Sequence, residues 1–326
     1  MQIIDVAKAA GVSPATVSRV LNNSCQVSEK TRIKVLTAVK EMEYHPNQMG
    51  QNLRTQRSNM LLVLVSDMGN SYFSDILYGM DETAQSYGYN LFVASTYFSP
   101  EREQKMLTLL NNKTVDGAIL LASNLTQESI DKYDVDFPII QCCDYLESST
   151  AAHVSIDNYS ASYQVMKLLI DSGHKRIAFL EQHNTFISTI LRKQAYMDAL
   201  RDYGLPYDPA IVKSGDHTFD FGVSGTQELL RLKERPTAIF AISDRIAVGA
   251  LRALAMASID VPSEMAVIGF DNIDISRMTT PPLSTVAQPM RLIGNTAVKM
   301  LMDRMNGKEI SKEIFLDYEI VLRKST

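Results

Sequence analysis

The sequence predicts a small three-helix head with a helix-turn-helix, joined by a short linker to a larger α/β body of two parallel-sheet lobes. Three observations carry this. Residues 5–22 have the spacing of two short helices meeting at a corner. Residues 48–57 are polar, contain Gly50, and are too short to hold a helix in isolation. From Met60 onward, short apolar runs alternate with stretches of helical length, the pattern of repeated βα units. With 326 residues, 45% of them hydrophobic and 21% charged, the chain can build two or three ordinary globular cores.

The head comes first. Asp5 to Ala10 is Ala-rich and helix-prone. Gly11 supplies a turn that other residues resist. Ser13 can cap the next helix, and Pro14 suits its first position, where no N–H is needed. Val17, Val20 and Leu21 share one face, Ala7 lets the two helices cross closely, and Val12 plugs the corner. The opposite face carries Ala15, Thr16, Ser18, Arg19 and Asn22, short polar groups and one arginine suited to base edges and phosphates. The same spacing would also serve a plain αα-corner. Ser28 can cap a third helix running from Glu29 to about Met42, with Ile33, Leu36, Ala38, Val39 and Met42 facing inward. Tyr44-His45-Pro46-Asn47 ends it, since the residue before a proline avoids the α region.

Charge is divided along the chain. Residues 1–57 hold eight Lys/Arg against four acids, a net +4, within a total of −5, leaving −9 for the rest. A basic head on an acidic body suits a head that meets phosphate. The three cysteines (Cys25, Cys142, Cys143) contain no Cys-x-x-Cys, so neither a disulfide framework nor a zinc site is expected. No apolar run reaches a membrane span and no secretory signal opens the chain, which fits a cytoplasmic protein. Gly-x-Ser-x-Gly, Gly-x-Gly-x-x-Gly and the phosphate-cradling Gly-Lys loop are absent, and the five histidines have no metal-ligand spacing. No cofactor, metal or enzymatic activity is expected.

In the body, Met60 to Val65 reads as a strand buried on both faces. A helix follows from Tyr72 to Tyr87, then a strand at 90–94, a helix at 100–111, a strand at 117–121, a helix from about Gln127 and a strand at 138–142. A second series starts at Val154–Ile156. Its helices are expected at 160–172, 191–203, 221–232 and 244–257, with strands at 176–180, 211–213, 238–241 and 266–270. A helix at 292–305 and strands within 314–322 close the chain. Two such series imply two lobes, and ligands of open parallel sheets bind at the carboxyl ends of strands, so facing lobes make one cleft.

The chain resembles the LacI/GalR family of bacterial repressors. The likeness is dense in Asp5-Val6-Ala7, Gly11-Val12-Ser13, Thr16 to Val20, Val27-Ser28, Thr31-Arg32 and Tyr44 with Pro46-Asn47. It continues through Asp116-Gly117, Ile156-Asp157-Asn158, Gly173 to Ala178, Gly269-Phe270-Asp271-Asn272, Pro281-Pro282-Leu283 and Gln288-Pro289. It implies a DNA-binding head at 1–45, read through Ser13, Pro14, Ala15, Thr16, Ser18, Arg19 and Asn22. It implies a hinge helix at 46–58 whose Leu53, beside Asn52, wedges into the minor groove and kinks it. The body at 59–326 would have a periplasmic-binding-protein-like fold, crossing between lobes near Asn158, Gln288 and Tyr318. Lobe 1 would hold about 59–158 and 289–318, and lobe 2 about 159–288 and 319–326. The implied regulator is a homodimer on a near-palindromic operator. The chain ends without a leucine-heptad tail, so nothing points to a tetramer.

The same resemblance places a small-molecule effector between the lobes. Tyr72 and Phe73 would flank a ligand ring, Arg192 would grip hydroxyls or a carboxylate, and Asp271 would accept from hydroxyls or ring N–H groups. Ser123, Ser243, Phe219 and Gln288 are further carry-overs. His217 stands where relatives place an aromatic, and either meets the ligand or faces solvent. Cys143 stands where many relatives have an acid, so Asp144 either reaches the cleft by a shifted turn or the contact is missing. Tyr72-Phe73-Ser74 and Phe270 to Asp274 are most similar to the cytidine repressor branch, which implies a nucleoside; a sugar is the other reading. A catabolite-control type with a phosphoprotein partner on a helix bearing Arg291 and Lys299 is the alternative.

Overall fold

The structure, a computed structural model, describes residues 2–21, 27–44 and 57–326. It divides into two compact units, 1–58 and 59–326. In the first, α1 (Ile3–Ala10) and α2 (Pro14–Leu21) form the helix-turn-helix, and α3 (Glu29–Glu41) packs against both. Gly11 sits at φ 65°, ψ 36° in the left-handed region. An added Cβ there would meet open space, so the demand is conformational, not steric. The Thr16 N–H donates to Ser13 Oγ at 3.2 Å, and the Thr31 N–H to Ser28 Oγ at 3.4 Å, as the capping residues promised. Val6, Val17 and Val35 are fully buried, joined by Ala7, Val20, Ala38 and Tyr44.

One expectation for this core is corrected. Ile33 and Leu36 face outward, 57% and 45% exposed, while Val35 and Ala38 are the buried pair on α3. The apolar residues of α3 spread over more than one face, and a core lined by Ala7 and Ala10 takes only one stripe of them. The expected hinge, with Asn52 and Leu53, lies outside the described residues but for 57 and 58, as does Asn22.

The second unit contains two six-stranded sheets. The first collects β1 (Met60–Val65), β2 (Asn90–Ser95), β3 (Gly117–Leu121), β4 (Ile139–Cys142), β5 (Ala152–Ile156) and β11 (Glu313–Leu316) in the order β11-β5-β4-β3-β1-β2. The second collects β6 (Ile177–Gln182), β7 (Val212–Gly215), β8 (Ala238–Ala241), β9 (Ala266–Asp271), β10 (Ser284–Ala287) and β12 (Glu319–Val321) in the order β12-β10-β9-β8-β6-β7. Every pairing is parallel except β10 with β12. The chain passes between the sheets after Ile156, after Ala287 and after Leu316.

Helices cover the sheets: α4 (Tyr72–Ser86), α5 (Pro100–Asn111) and α6 (Gln127–Asp134) in lobe 1; α7 (Asn158–Asp171), α8 (Ile187–Asp202), α9 (Phe219–Leu230), α10 (Asp244–Met256) and the short α11 (Ile275–Met278) in lobe 2; and α12 (Met290–Met305), which returns to lobe 1 against α4. At that crossing Gly79 and Gly294 bring the backbones together. A Cβ on Gly79 would collide with the Arg291 carbonyl oxygen, and one on Gly294 with that of Ile76. Besides a single 3-10 turn at Pro209–Ile211, two elements escaped the sequence pattern, α11 and β10. Both are four residues long, too short for a period to show. Helix α8 also begins a turn earlier than Leu191, for a reason found in the cleft.

Candidate functional site

The carboxyl ends of the parallel strands and the N-termini of the following helices face each other across a cavity of about 470 Å³. At its floor, Asp271 ends β9 with φ 115°, a conformation rare outside glycine. Gln288 Nε2 donates to Asp271 Oδ1 at 2.8 Å. Tyr72 Oη lies 3.0 Å from Gln288 Oε1 and 3.3 Å from Cys143 Sγ, so its proton can serve either. Arg192, on the first turns of α8, is buried. Its Nε donates to Asn158 Oδ1 at 2.9 Å, its Nη1 to the Ile242 carbonyl at 2.6 Å, and its guanidinium lies 3.5 Å over the Phe270 ring. Nη1 is 3.9 Å from Asp271 Oδ1. Burial pushes the Asp271 carboxyl up to about 7; Arg192 and the Gln288 amide pull it back, and Asp144 adds to the rise.

Asp144 does reach the cavity. It leaves lobe 1 after β4 and accepts from the Ser188 N–H of α8 in lobe 2 at 3.0 Å. That contact explains the early start of α8. Its capping group lies 44 residues upstream, in the other lobe, where no local pattern reveals it. A second bridge joins the lobes: Arg245 Nη1 is 3.6 Å from Asp67 Oδ2.

Of the expected effector residues, Tyr72, Phe73, Asp144, Arg192, His217, Ser243, Asp271 and Gln288 line this cavity. The Tyr72 and Phe73 rings meet edge to face at 5.4 Å. Ser243 spends its hydroxyl capping α10 through the Ile246 N–H. Two expectations are corrected. Ser123 does not line the cavity; its hydroxyl donates to the buried Glu103 carboxylate. Glu103 also accepts from the Asn124 N–H at 3.1 Å, so the neighbouring Asn124 presents itself instead. Phe219 is 39% exposed and lines a separate groove with Ile275 and Met278, because α9 begins at this residue and turns it away. Sequence reasoning missed Asp67, Asn70, Asn124 and Arg245. All follow a strand's carboxyl end or open the next helix, so applying the strand-end rule to each βα junction would have found them.

In the head, Ser13, Pro14, Ala15 and Arg19 are exposed and Thr16 and Ser18 partly so, around the first turns of α2. The Ser13 and Thr16 hydroxyls lie 2.9 Å apart. Among the described residues, no helix is long and apolar enough to cross a membrane.

The lacI family of bacterial regulatory proteins matches residues 2–47, and a periplasmic binding protein-like domain matches 166–326. The HTH-type transcriptional repressor CytR of Escherichia coli (strain K12) is 36% identical over 324 residues, covering 99% of this chain and 95% of the relative. The chain belongs to the LacI family. The crystal structure of the lac repressor dimer bound to operator and the anti-inducer ONPF superposes with a TM-score of 0.92 at 27% identity, covering 100% of this chain and 98% of that one. A complex of the transcriptional regulator CelR with cellobiose gives 0.76 at 30% identity, with both chains fully covered. This LacI-family protein is thus a ligand-responsive, DNA-binding transcriptional regulator and not an enzyme.

Proposed function

We propose that this LacI-family protein is a repressor that binds a near-palindromic operator as a homodimer and is controlled by a nucleoside or a sugar held between its lobes. The observation that carries the effector reading is the constellation of Asp271, Arg192 and Gln288 beside the Tyr72 and Phe73 rings in one cavity. A carboxylate and a guanidinium fork suit vicinal hydroxyls, and the aromatic edge suits a ring face. Ser13, Pro14, Ala15, Thr16, Ser18, Arg19 and Asn22 are the residues assigned to the major groove, and Asn52 and Leu53 to the minor groove.

A thermal-shift screen of the full-length protein against nucleosides, purines, pentoses and hexoses tests this reading. A true effector at about 100 times its Kd stabilises by about 2.7 kcal/mol. Absence of any shift, with operator binding unaltered by every compound, would sink the effector assignment.

Two expected results follow for the two ends of the protein. Asp271 titrates near 7, and only its ionised form accepts two hydroxyls. Effector affinity is therefore about tenfold weaker at pH 6 than at pH 8 by titration calorimetry, and Asp271→Asn flattens the profile. The sign for stability is opposite. A raised carboxyl favours the protonated folded state, so its contribution is full below the ordinary carboxylate value and lost as pH rises through 7. At the other end, Leu53→Ala is expected to weaken specific operator binding on the order of tenfold or more, the worth of one buried aliphatic side chain. Non-specific binding, which rests on phosphate contacts, stays unchanged; equal loss of both removes the wedge role.

A further inference from the structure

We propose that Phe98 is a ring-contact residue of the interlobe cavity, so that the effector presents it with a flat ring face: a nucleobase or the C–H side of a sugar. This rests on the cavity being the effector site. It goes further by adding a specificity-determining ring on a turn of lobe 1.

The starting observation is the backbone. Tyr97 and Phe98, the two central residues of the turn after β2, have φ 52° and 60°. Bulky residues avoid this left-handed region, and turns with two such centres normally take glycine, asparagine or aspartate. The conformation persists only where the surroundings over-determine it, and here they do. The Thr96 N–H donates to the Val65 carbonyl at 2.8 Å, and the Ser99 N–H closes the turn on the Thr96 carbonyl at 3.1 Å. Ser99 Oγ then caps α5 through the Arg102 N–H at 3.3 Å. The buried Glu103 carboxylate accepts from Thr96 Oγ1 at 3.4 Å and from the Asn124 N–H at 3.1 Å, which ties this turn to the loop after β3. Asn124 Nδ2 completes the clamp by donating to the Phe98 carbonyl at 3.2 Å.

The two aromatic side chains of the turn are used differently. The Arg102 guanidinium lies 4.7 Å over the Tyr97 ring, and Tyr97 does not line the cavity. Phe98 does line it, and is still 45% exposed. Among the described residues it has no ring or cation partner. Exposed ring area and a left-handed backbone both cost stability, and a ligand ring laid on Phe98 recovers part of it. The clamp holds the ring in place beforehand, so little ordering is lost on binding. Asn70 and Asn124 line the cavity from the same lobe, and their amides suit a ring with a polar rim.

The test is calorimetric titration of the full-length protein with cytidine, uridine, adenosine, ribose and glucose. Phe98→Ala is expected to weaken the bound probe about tenfold. Phe98→Gly relieves the backbone, and is expected to lose as much affinity while melting no lower than Phe98→Ala. Tyr97→Ala, in the same turn but outside the cavity, keeps the wild-type affinity. A loss seen for a nucleoside and not for ribose assigns the base to Phe98; a loss for ribose or glucose assigns the C–H face. The chain has no tryptophan, so Phe98→Trp and Tyr97→Trp each install a single emitter. Saturating probe is expected to shift or quench the first and leave the second unmoved. Wild-type affinity in Phe98→Ala, or an unmoved Phe98→Trp emission, overturns the inference and leaves the effector site standing. An equal loss in Tyr97→Ala overturns it too, because the shape of the turn and not the ring would then matter. Silence of the wild-type protein toward every probe takes down the effector reading, and this inference with it.

Discussion

Arg192→Ala is expected to leave operator affinity unresponsive to effector and to destabilise the body by about 3–5 kcal/mol, the cost of breaking a buried ion pair from one side. The size follows from what the guanidinium holds. It donates to the Asn158 side chain and the Ile242 carbonyl, lies on the Phe270 ring, and is the nearest counter-charge to Asp271. Its loss leaves a buried carbonyl without a donor and a buried carboxyl whose tendency to stay protonated grows. Operator titrations with and without effector, beside a thermal melt, separate the two consequences. Arg192→Lys keeps the charge but not the fork, and should recover more stability than response. If Arg192→Ala still responds at wild-type effector concentrations, the residue is structural only.

Gly79→Val is expected to be the most damaging single change away from the cleft, costing about 3 kcal/mol or more. The added side chain must occupy the space of the Arg291 carbonyl on α12, where the nearest obstacle is backbone and the Asn295 side chain closes in beside it. In a domain of this size that cost lowers the melting temperature by about 10 °C. The exposed Ala255→Val on α10 is the control and should lose only a few tenths of a kcal/mol to helix propensity. A melt in which the two variants fall together would show that α4 and α12 can separate at little cost.

Much of this was legible in the chain itself. The turn at Gly11, the caps at Ser13 and Ser28 and the buried run Met60 to Val65 are local chemistry, and each took the form its residues dictate. The cleft residues Arg192 and Asp271 were reached through resemblance; spacing alone did not show that they would stand 3.9 Å apart. What the sequence hid is non-local. Ser123 is a short hydroxyl beside a strand end, and nothing nearby shows that Glu103, twenty residues earlier, claims it. The outward turn of Ile33 and Leu36 depends on how little room Ala7 and Ala10 leave beneath α3. Phe219 had the right composition for a ring contact and the wrong place on its helix.

The carboxylate of Asp144 gives α8 a first turn that belongs to both lobes at once. When the lobes part, the Ser188 amide loses its acceptor and becomes free to trade its proton with solvent, although the rest of α8 remains intact. Amide hydrogen exchange at that one residue therefore clocks the opening of the whole body. A slow amide at Ser188 reports a shut cleft and a fast one an open cleft, before any ligand or DNA has been added.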